Sequence, residues 1–395
     1  MQNAALMMQK NEGAMLQIWL RHHAEIFGNE NLYVFDNGST DEQTLQVLRQ
    51  AAQSGVNVSD AYSAPTDFDK KGEIIKAKIE ELAKLGRYSF FFPLDADELV
   101  GAMVDGHPSF KREDVNATLA PFVGEQRVLR IARAYVPNPT KEGLYALHEK
   151  NDKCFFYTDT IAKLDIGFHS GETKSGKEGV ITDIIQVHAH HKKYESKQVR
   201  SLQKLQSRFG RITAAQAVII HNERDRGWHL ISDVLRGRGD FYRRHSAAGR
   251  QASAPQIRDH LSRLGLWNEF AGLMDFGYDR DAAASDLTAR GTIEDVSLAD
   301  GVVRISGWAV KADGSRFESF YLNINGVNRF VVPHRLVRRQ DVVRATAGAD
   351  LFCGFEIENP VGNPEDRAIR SLVLRPIDLT GDTYANFALP KTRMP

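Results

Sequence analysis

Residues 90–100 read FFFPLDADELV, an apolar run that stops on Asp95, Asp97 and Glu98. In a strand Asp95 and Asp97 fall on one face, so the spacing predicts two carboxylates leaving the mouth of a buried strand together. Unpaired carboxylates held that close repel each other and lose solvation. A hard divalent cation relieves both costs, because Mg²⁺ or Mn²⁺ takes one or two carboxylates together with phosphate oxygens and water. The competing reading is a plain acidic turn after a strand.

Two further polar turns follow the same pattern. Ala4–Met8 reads as a first strand ended by Lys10-Asn11-Glu12-Gly13, and Leu32–Phe35 as a second ended by Asp36-Asn37-Gly38-Ser39-Thr40-Asp41. Polar residues at the carboxyl ends of successive strands mark the ligand-binding edge of an open α/β sheet. The elements that position them alternate strand and helix, which predicts a parallel sheet. Met15, Ile18, Trp19, His22 and Ile26 share one helical face. Ser39 with Glu42 has capping-box spacing before a second helix. A third helix is expected from Gly72 to Leu85 with Gly86 as its C-cap. Val128–Ala132 and Val180–Val187 read as later strands, the second ending at His188 within Gln186–Tyr194 (QVHAHHKKY). Helical spacing begins near Gln198 and continues to about Leu273, interrupted at Asn222–Gly227. Asp281–Ile293 is small and polar enough for a linker. Short β-like runs separated by turns such as Ala312-Asp313-Gly314, Asn325-Gly326 and Thr380-Gly381-Asp382 then predict a β-sandwich.

A chain of 395 residues is too long for one ordinary core. Its 51 basic and 51 acidic residues cancel, so bulk charge gives no reason to expect nucleic acid as a partner. The two cysteines, Cys154 and Cys353, exclude a disulfide framework and suit a reducing compartment. No signal-peptide pattern and no membrane-spanning apolar run is seen. The expected location is therefore cytoplasmic, with peripheral contact at the inner face of the membrane left open.

The segment from Gln9 to Gln50 resembles the opening of a GT-A glycosyltransferase of a family-2-like branch, close to the group that includes family 92. The resemblance rests on Lys10–Glu12, Trp19–His23, Asp36–Asp41 and Asp95–Glu98, and covers roughly residues 1–205. It implies a GT-A catalytic domain (Rossmann-like α/β, mostly parallel sheet) over 1–205; the patterning beyond it predicts a helical extension over 206–285 and a small all-β domain over 291–395. It further implies a UDP-sugar donor and Mn²⁺ or Mg²⁺. Nucleotide contacts are implied for Asn11, Glu12, Asp36, Asn37, Asp95 and Lys163, and cation contacts for Asp95, Asp97 and a late histidine, His188 first and His190 second. His191 lies in the same cluster, and Lys192 or Lys193 could contact phosphate. Relatives invert, so a base must deprotonate the acceptor hydroxyl. Asp159, Asp165 and Glu172 lie in the right region, with Glu172 the choice, while Glu98 beside the metal could instead orient it. His169 is a further catalytic candidate, because Lys163 and Gly167–Gly171 resemble a segment lining the acceptor side.

Ile305–Val310, Arg339-Gln340-Asp341-Val342 and Gly354-Phe355 resemble a β-sandwich appended to bacterial polysaccharide glycosyltransferases. The implied activity is transfer of a hexose, such as galactose or glucose, to a bacterial surface glycan. Two other readings compete: a catalytically inactive nucleotide-sugar or glycan binder, and a sugar nucleotidyltransferase. The last normally needs a glycine-rich basic phosphate loop, of which Lys10–Gly13 is a poor version.

Overall fold

The computed structural model describes residues 1–149, 153–190, 192–209, 227–228, 230–231, 241–242, 250–278, 290–311, 314–317, 319–325, 327–331, 333–346, 348–360, 369, 372–377 and 387–388. His191, most of the expected Asn222–Gly227 turn, most of the expected Asp281–Ile293 linker, and the turns at 312–313, 326 and 380–382 lie outside them. The chain divides into two compact units, one of Met1–Lys192 with Ser246–Gly277, the other of Lys193–His245 with Tyr278–Pro395.

The first unit opens β1 (Asn3–Gln9), α1 (Gly13–Phe27), β2 (Leu32–Asp36), α2 (Glu42–Gln53), β3 (Asn57–Ser59), α3 (Lys71–Ala83) and β4 (Phe90–Pro93). β4, β1, β2 and β3 lie side by side in that order and run parallel. Every residue of β1, β2 and β4 is buried, as a parallel strand covered on both faces requires. Alternation sorts their side chains: Ala5, Met7, Val34, Phe90 and Phe92 join the core under α1, while Ala4, Leu6, Phe35 and Phe91 join a second core under α3. Each buried phenylalanine contributes about 1.5–3 kcal/mol.

β5 (Glu98–Val104), β6 (His107–Ser109), α4 (Arg112–Leu119), β7 (Val128–Arg130), β8 (Arg133–Pro137), β9 (Leu144–His148), β10 (Cys154–Tyr157), β11 (Ile161–Leu164), β12 (Gly171–Thr173), β13 (Gly179–Ile181) and β14 (Ile184–His188) follow. β10 extends the first sheet antiparallel to β4, and β7 and β13 continue it to seven strands. A second sheet has the order β15-β9-β8-β14-β5-β6, where β15 is Arg250–Ser253. Beyond α5 (Tyr194–Phe209), in the other unit, the helical pattern expected to continue to Leu273 is therefore broken by this strand, which pairs antiparallel with β9. The residues after it, α6 (Pro255–Arg263) and α7 (Trp267–Gly272), place Ile257, Leu261 and Phe270 in the same core as Trp19. Val180–Val187 is likewise not one strand. It breaks at Thr182-Asp183, so that β13 joins the first sheet and β14 the second.

The α2 cap also differs from expectation. Asp41, not Ser39, is the N-cap, its carboxylate accepting from Thr44 N at 2.8 Å and Thr44 Oγ1 at 2.7 Å. Ser39 serves the turn instead, as described below. At the start of α3, Gly72 lets the helix approach the turn after β11. A Cβ there would meet the Leu164 carbonyl oxygen at 2.3 Å and that of Asp165 at 2.7 Å. Gly72→Ala should therefore lower stability by about 1–3 kcal/mol through overpacking. A denaturant titration checks this, and an unchanged midpoint would contradict it.

The second unit carries α5 and two four-stranded sheets. Their strands are β16 (Arg290–Ala299), β17 (Val302–Val310), β18 (Ser319–Ile324), β19 (Val327–Val331), β20 (Arg335–Val337), β21 (Gly354–Pro360), β22 (Leu372–Ile377) and β23 (Phe387–Ala388), with α8 (Gln340–Ala345) after β20. The orders are β16-β17-β21-β20 and β19-β18-β22-β23. Ile305 and Ile357 from one sheet share a core with Leu322 and Leu374 from the other, and Phe320 meets Phe355 with ring centroids 4.5 Å apart. This is the packed pair of sheets that the alternating pattern predicts.

Candidate metal centre

β1 and β4 are neighbours, but the chain leaves β1 toward β2 on the opposite side. The crevice outside the carboxyl ends of β1 and β4 is thus a topological switch point. The turn after β1 and the Asp95–Asp97 turn both open there.

The turns after β1 and β2 are locked together by hydrogen bonds. Asp36 Oδ1 accepts from Gln9 Nε2 at 2.6 Å and from Ser39 Oγ at 2.5 Å, and its Oδ2 accepts from Ser39 N at 3.0 Å. Asn11 N–H donates to Ser39 Oγ at 2.9 Å, while Asn11 Oδ1 accepts from the Thr40 and Asp41 amides at 2.8 and 3.0 Å. Asn37 Nδ2 donates to the carbonyls of Tyr62 and Ala64 at 2.7 and 2.8 Å. Gly38, at φ 72°, passes so close to Ser63 that a Cβ would stand 2.6 Å from its carbonyl oxygen. The polar residues expected to contact nucleotide therefore first build the turns. Gln9, whose type gave no reason to single it out, is the link between them.

The acidic cluster is arranged differently from the strand-alternation expectation. β4 ends at Pro93, and Asp95–Asp97 form a turn before β5 begins at Glu98. Asp95 is also not an unpaired carboxylate. Lys71 Nζ lies 2.6 Å from its Oδ1 and Lys153 Nζ 2.7 Å from its Oδ2. Burial pushes the Asp95 carboxyl up, but these two ammonium groups outweigh it and hold it below the ordinary carboxylate value. Lys153 Nζ also reaches Glu98 Oε1 at 2.9 Å and the Gly167 carbonyl at 2.8 Å. Burial pulls the Lys153 ammonium down, yet Glu98 and Asp95 hold it well above the ordinary lysine value.

Glu98 is fully buried, and its Oε2 accepts from the Asp95 amide at 2.8 Å. Of its expected catalytic part only an orienting one fits, since an acceptor hydroxyl does not reach a carboxylate enclosed by Lys153. Lys153→Met would leave Glu98 charged and buried, so a loss of about 3–5 kcal/mol is expected in a denaturant titration. A loss under 1 kcal/mol would mean that Glu98 finds another partner.

The pairing of β5 with β14 sets Glu98 opposite His188. The residue before Glu98 therefore falls beside the end of β14, and the Ala189 amide donates to the Asp97 carbonyl at 2.8 Å. Asp97, His188 and His190 consequently offer one carboxylate oxygen and two imidazole nitrogens, all within 4.8 Å of one another. His188 Nε2 lies 3.8 Å from Asp97 Oδ1. Burial pushes the Asp97 carboxyl up, but His188, Lys192 and His190 hold it far below its ordinary value. Asp95 is not one of the three, and both its oxygens are engaged by lysine. The set suits a divalent ion, and two imidazoles favour a borderline transition metal over Mg²⁺.

Of the remaining expected residues, Glu12 faces Lys192 at 3.7 Å. Lys163 is largely exposed and pairs with Glu172 at 3.4 Å, as does Lys177. Burial pushes the Glu172 carboxyl up, but Lys177 and Lys163 more than offset it, and a carboxylate held low is a poor proton acceptor. Asp159 pairs with Lys174 at 2.7 Å, and Asp165 accepts from the Ser170 and Gly167 amides. His169 is exposed, and partial desolvation together with the Lys153 ammonium pushes its imidazole below the ordinary value. It is thus a neutral ring able to take up a proton. Neither Lys71 nor Lys153 was singled out in the sequence, where each is one lysine among ordinary neighbours. His22 and His23 are buried in α1.

No family model matches the chain, and no curated protein matches it. Among the described residues no helix is long and apolar enough to cross a membrane.

Proposed function

We propose that the chain is a cation-dependent glycosyltransferase of the GT-A type, moving a hexose such as galactose or glucose from a UDP-sugar to a glycan acceptor. The observation that carries this reading is the Asp97–His188–His190 cluster at the switch-point crevice between β1 and β4. Asp97, His188 and His190 would hold the ion, which when bound neutralises charge on a departing diphosphate. His169 is the candidate base, because it is exposed and neutral where Glu98 is enclosed and Glu172 is held low. The β-sandwich is a candidate glycan-holding or assembly module.

A thermal-shift panel of nucleotide sugars, with and without Mn²⁺, tests the reading, since a ligand that binds only the folded state raises its melting temperature. A UDP-sugar should stabilise the protein only with the ion present, and slow release of UDP should follow. Stabilisation without release would favour an inactive binder. No shift with any nucleotide sugar would overturn both. Within the cluster, His188→Ala should weaken Mn²⁺ binding more than His190→Ala. His188 is fixed at a strand end, whereas His190 stands exposed in the following turn. Equal, negligible effects would return both histidines to an ordinary loop.

A further inference from the structure

The chain offers three acidic side chains in four residues, yet only one of them faces the imidazole pair. Glu98 is enclosed. Asp95 lies two positions before Asp97, in the same turn between β4 and β5. Both oxygens of Asp95 are instead engaged by a pair of lysines from distant parts of the chain. Lys71 comes from the first turn of α3, and Lys153 from the residue before β10. Their side chains are 4% and 0% exposed, against 33% for Asp95. With Glu98 they form a set of two positive and two negative charges, balanced without any metal. Fixing two lysines in the interior is costly unless each is paired; Lys153 meets Asp95, Glu98 and the Gly167 carbonyl, and Lys71 meets Asp95 with its ammonium also over the Phe168 ring.

We propose that Lys71 and Lys153 are specificity-determining residues of the cation site. By engaging both oxygens of Asp95 they withhold it from the ion, leaving one carboxylate and two imidazoles, a donor set that favours Mn²⁺ and its transition-metal neighbours over Mg²⁺. With a second carboxylate free, the site would gain hard oxygen donors and negative charge, both of which help Mg²⁺ most. The inference rests on the reading that Asp97, His188 and His190 hold a cation.

The test measures ion binding to the full chain without nucleotide, by titration calorimetry for Mn²⁺ and by competition for Mg²⁺. Wild type should prefer Mn²⁺. Lys71→Met should raise Mg²⁺ affinity about tenfold and Mn²⁺ affinity less, narrowing the preference about fivefold, because one positive charge near the site is lost. Lys71→Arg keeps the charge and should leave the preference within about twofold of wild type. The pair Lys153→Met with Glu98→Gln removes the other lysine without stranding a buried charge. It should shift the preference in the same direction, and it carries the test if Lys71→Met does not fold. An unchanged Mn²⁺/Mg²⁺ preference in the folded variants overturns the lysine assignment, and so does a Lys71→Arg shift as large as that of Lys71→Met. A wild-type chain that takes up neither ion overturns the cation reading itself.

Discussion

Between pH 6.5 and about pH 4.5 the first unit is expected to lose up to about 7 kcal/mol of stability, most of what an ordinary domain possesses. The cause is three buried histidines. His22 Nε2–H donates to the Val100 carbonyl at 2.8 Å, and His22 Nδ1 accepts from His260 Nε2 at 3.0 Å. His23 Nδ1–H donates to the Trp19 carbonyl at 2.9 Å, while its Nε2 accepts from the Val100 amide at 3.2 Å. Every ring nitrogen of His22 and His23 is thereby assigned to the neutral form. Burial, with His23 and His260 nearby, lowers His22 well below its ordinary value. Burial lowers His23 to about 3, despite the Trp19 carbonyl, and burial with Arg263 beside it lowers His260 to about 4, despite Glu25.

The sign follows directly. Below pH 6.5 the unfolded chain takes up a proton at each histidine and the folded chain does not, so stability falls as pH falls. The slope is about 1.4 kcal/mol per pH unit for each ring. The loss from His260 levels off near pH 4 and that from His23 near pH 3. Above pH 6.5 the slope from these rings fades over about one pH unit. Denaturant midpoints recorded from pH 7.5 to 4.5 check the slope, and His260→Gln should reduce it by about a third. A flat profile between pH 7 and 5 would mean that the rings are charged or solvated in the folded state.

The histidine cluster also shows where sequence reasoning stops. The apolar spacing of α1 was enough to turn His22 toward the core. His260 lies 238 residues away in a segment whose helical pattern looked like an extension, and only the fold brings it to His22. The alternation of β1, β2 and β4 is legible because burial on two faces leaves a continuous apolar record in the residues themselves. The ion pairs at Asp95 leave none. Lys153 is 58 residues from Asp95, and a lysine destined for the interior has the same letter as one on the surface. The acidic run was therefore readable as a site, but its internal division of labour was not. Ser39 illustrates a local limit: its spacing to Glu42 fits a cap, yet Asp41 is equally able to cap, and the bonds from Asn11 and to Asp36 decide between them.

Asp97→Ala is expected to lower Mn²⁺ affinity at least a hundredfold, since even partners behind the ligands commonly change affinity ten- to a hundredfold. Two imidazoles without the carboxylate would remain, with no negative charge to offset the ion. The sequence suggests that this substitution should be harmless to the metal-free fold, because it removes one of two repelling carboxylates. The structure reverses that expectation. The Asp97 carboxyl is held far below its ordinary value by His188, Lys192 and His190, with Lys153 contributing. A group whose folded value is depressed adds stability above its ordinary value near pH 4, and that stability is lost as pH falls through the folded value. The imidazole share of that holding acts only where the rings are charged, so at neutral pH the metal-free Asp97→Ala protein should be less stable by no more than about 1 kcal/mol, through loss of the attraction to the Lys192 and Lys153 ammonium groups. Denaturant midpoints in the presence of a chelator measure this term, and calorimetry with Mn²⁺ measures the other. Wild-type binding must also fade below about pH 6, because imidazole binds a metal only when neutral. Undiminished Mn²⁺ binding by Asp97→Ala would place the ion elsewhere. A more stable metal-free variant would show instead that repulsion from Asp95 outweighs the cations around Asp97, and that the two lysines screen Asp95 less than their distances imply.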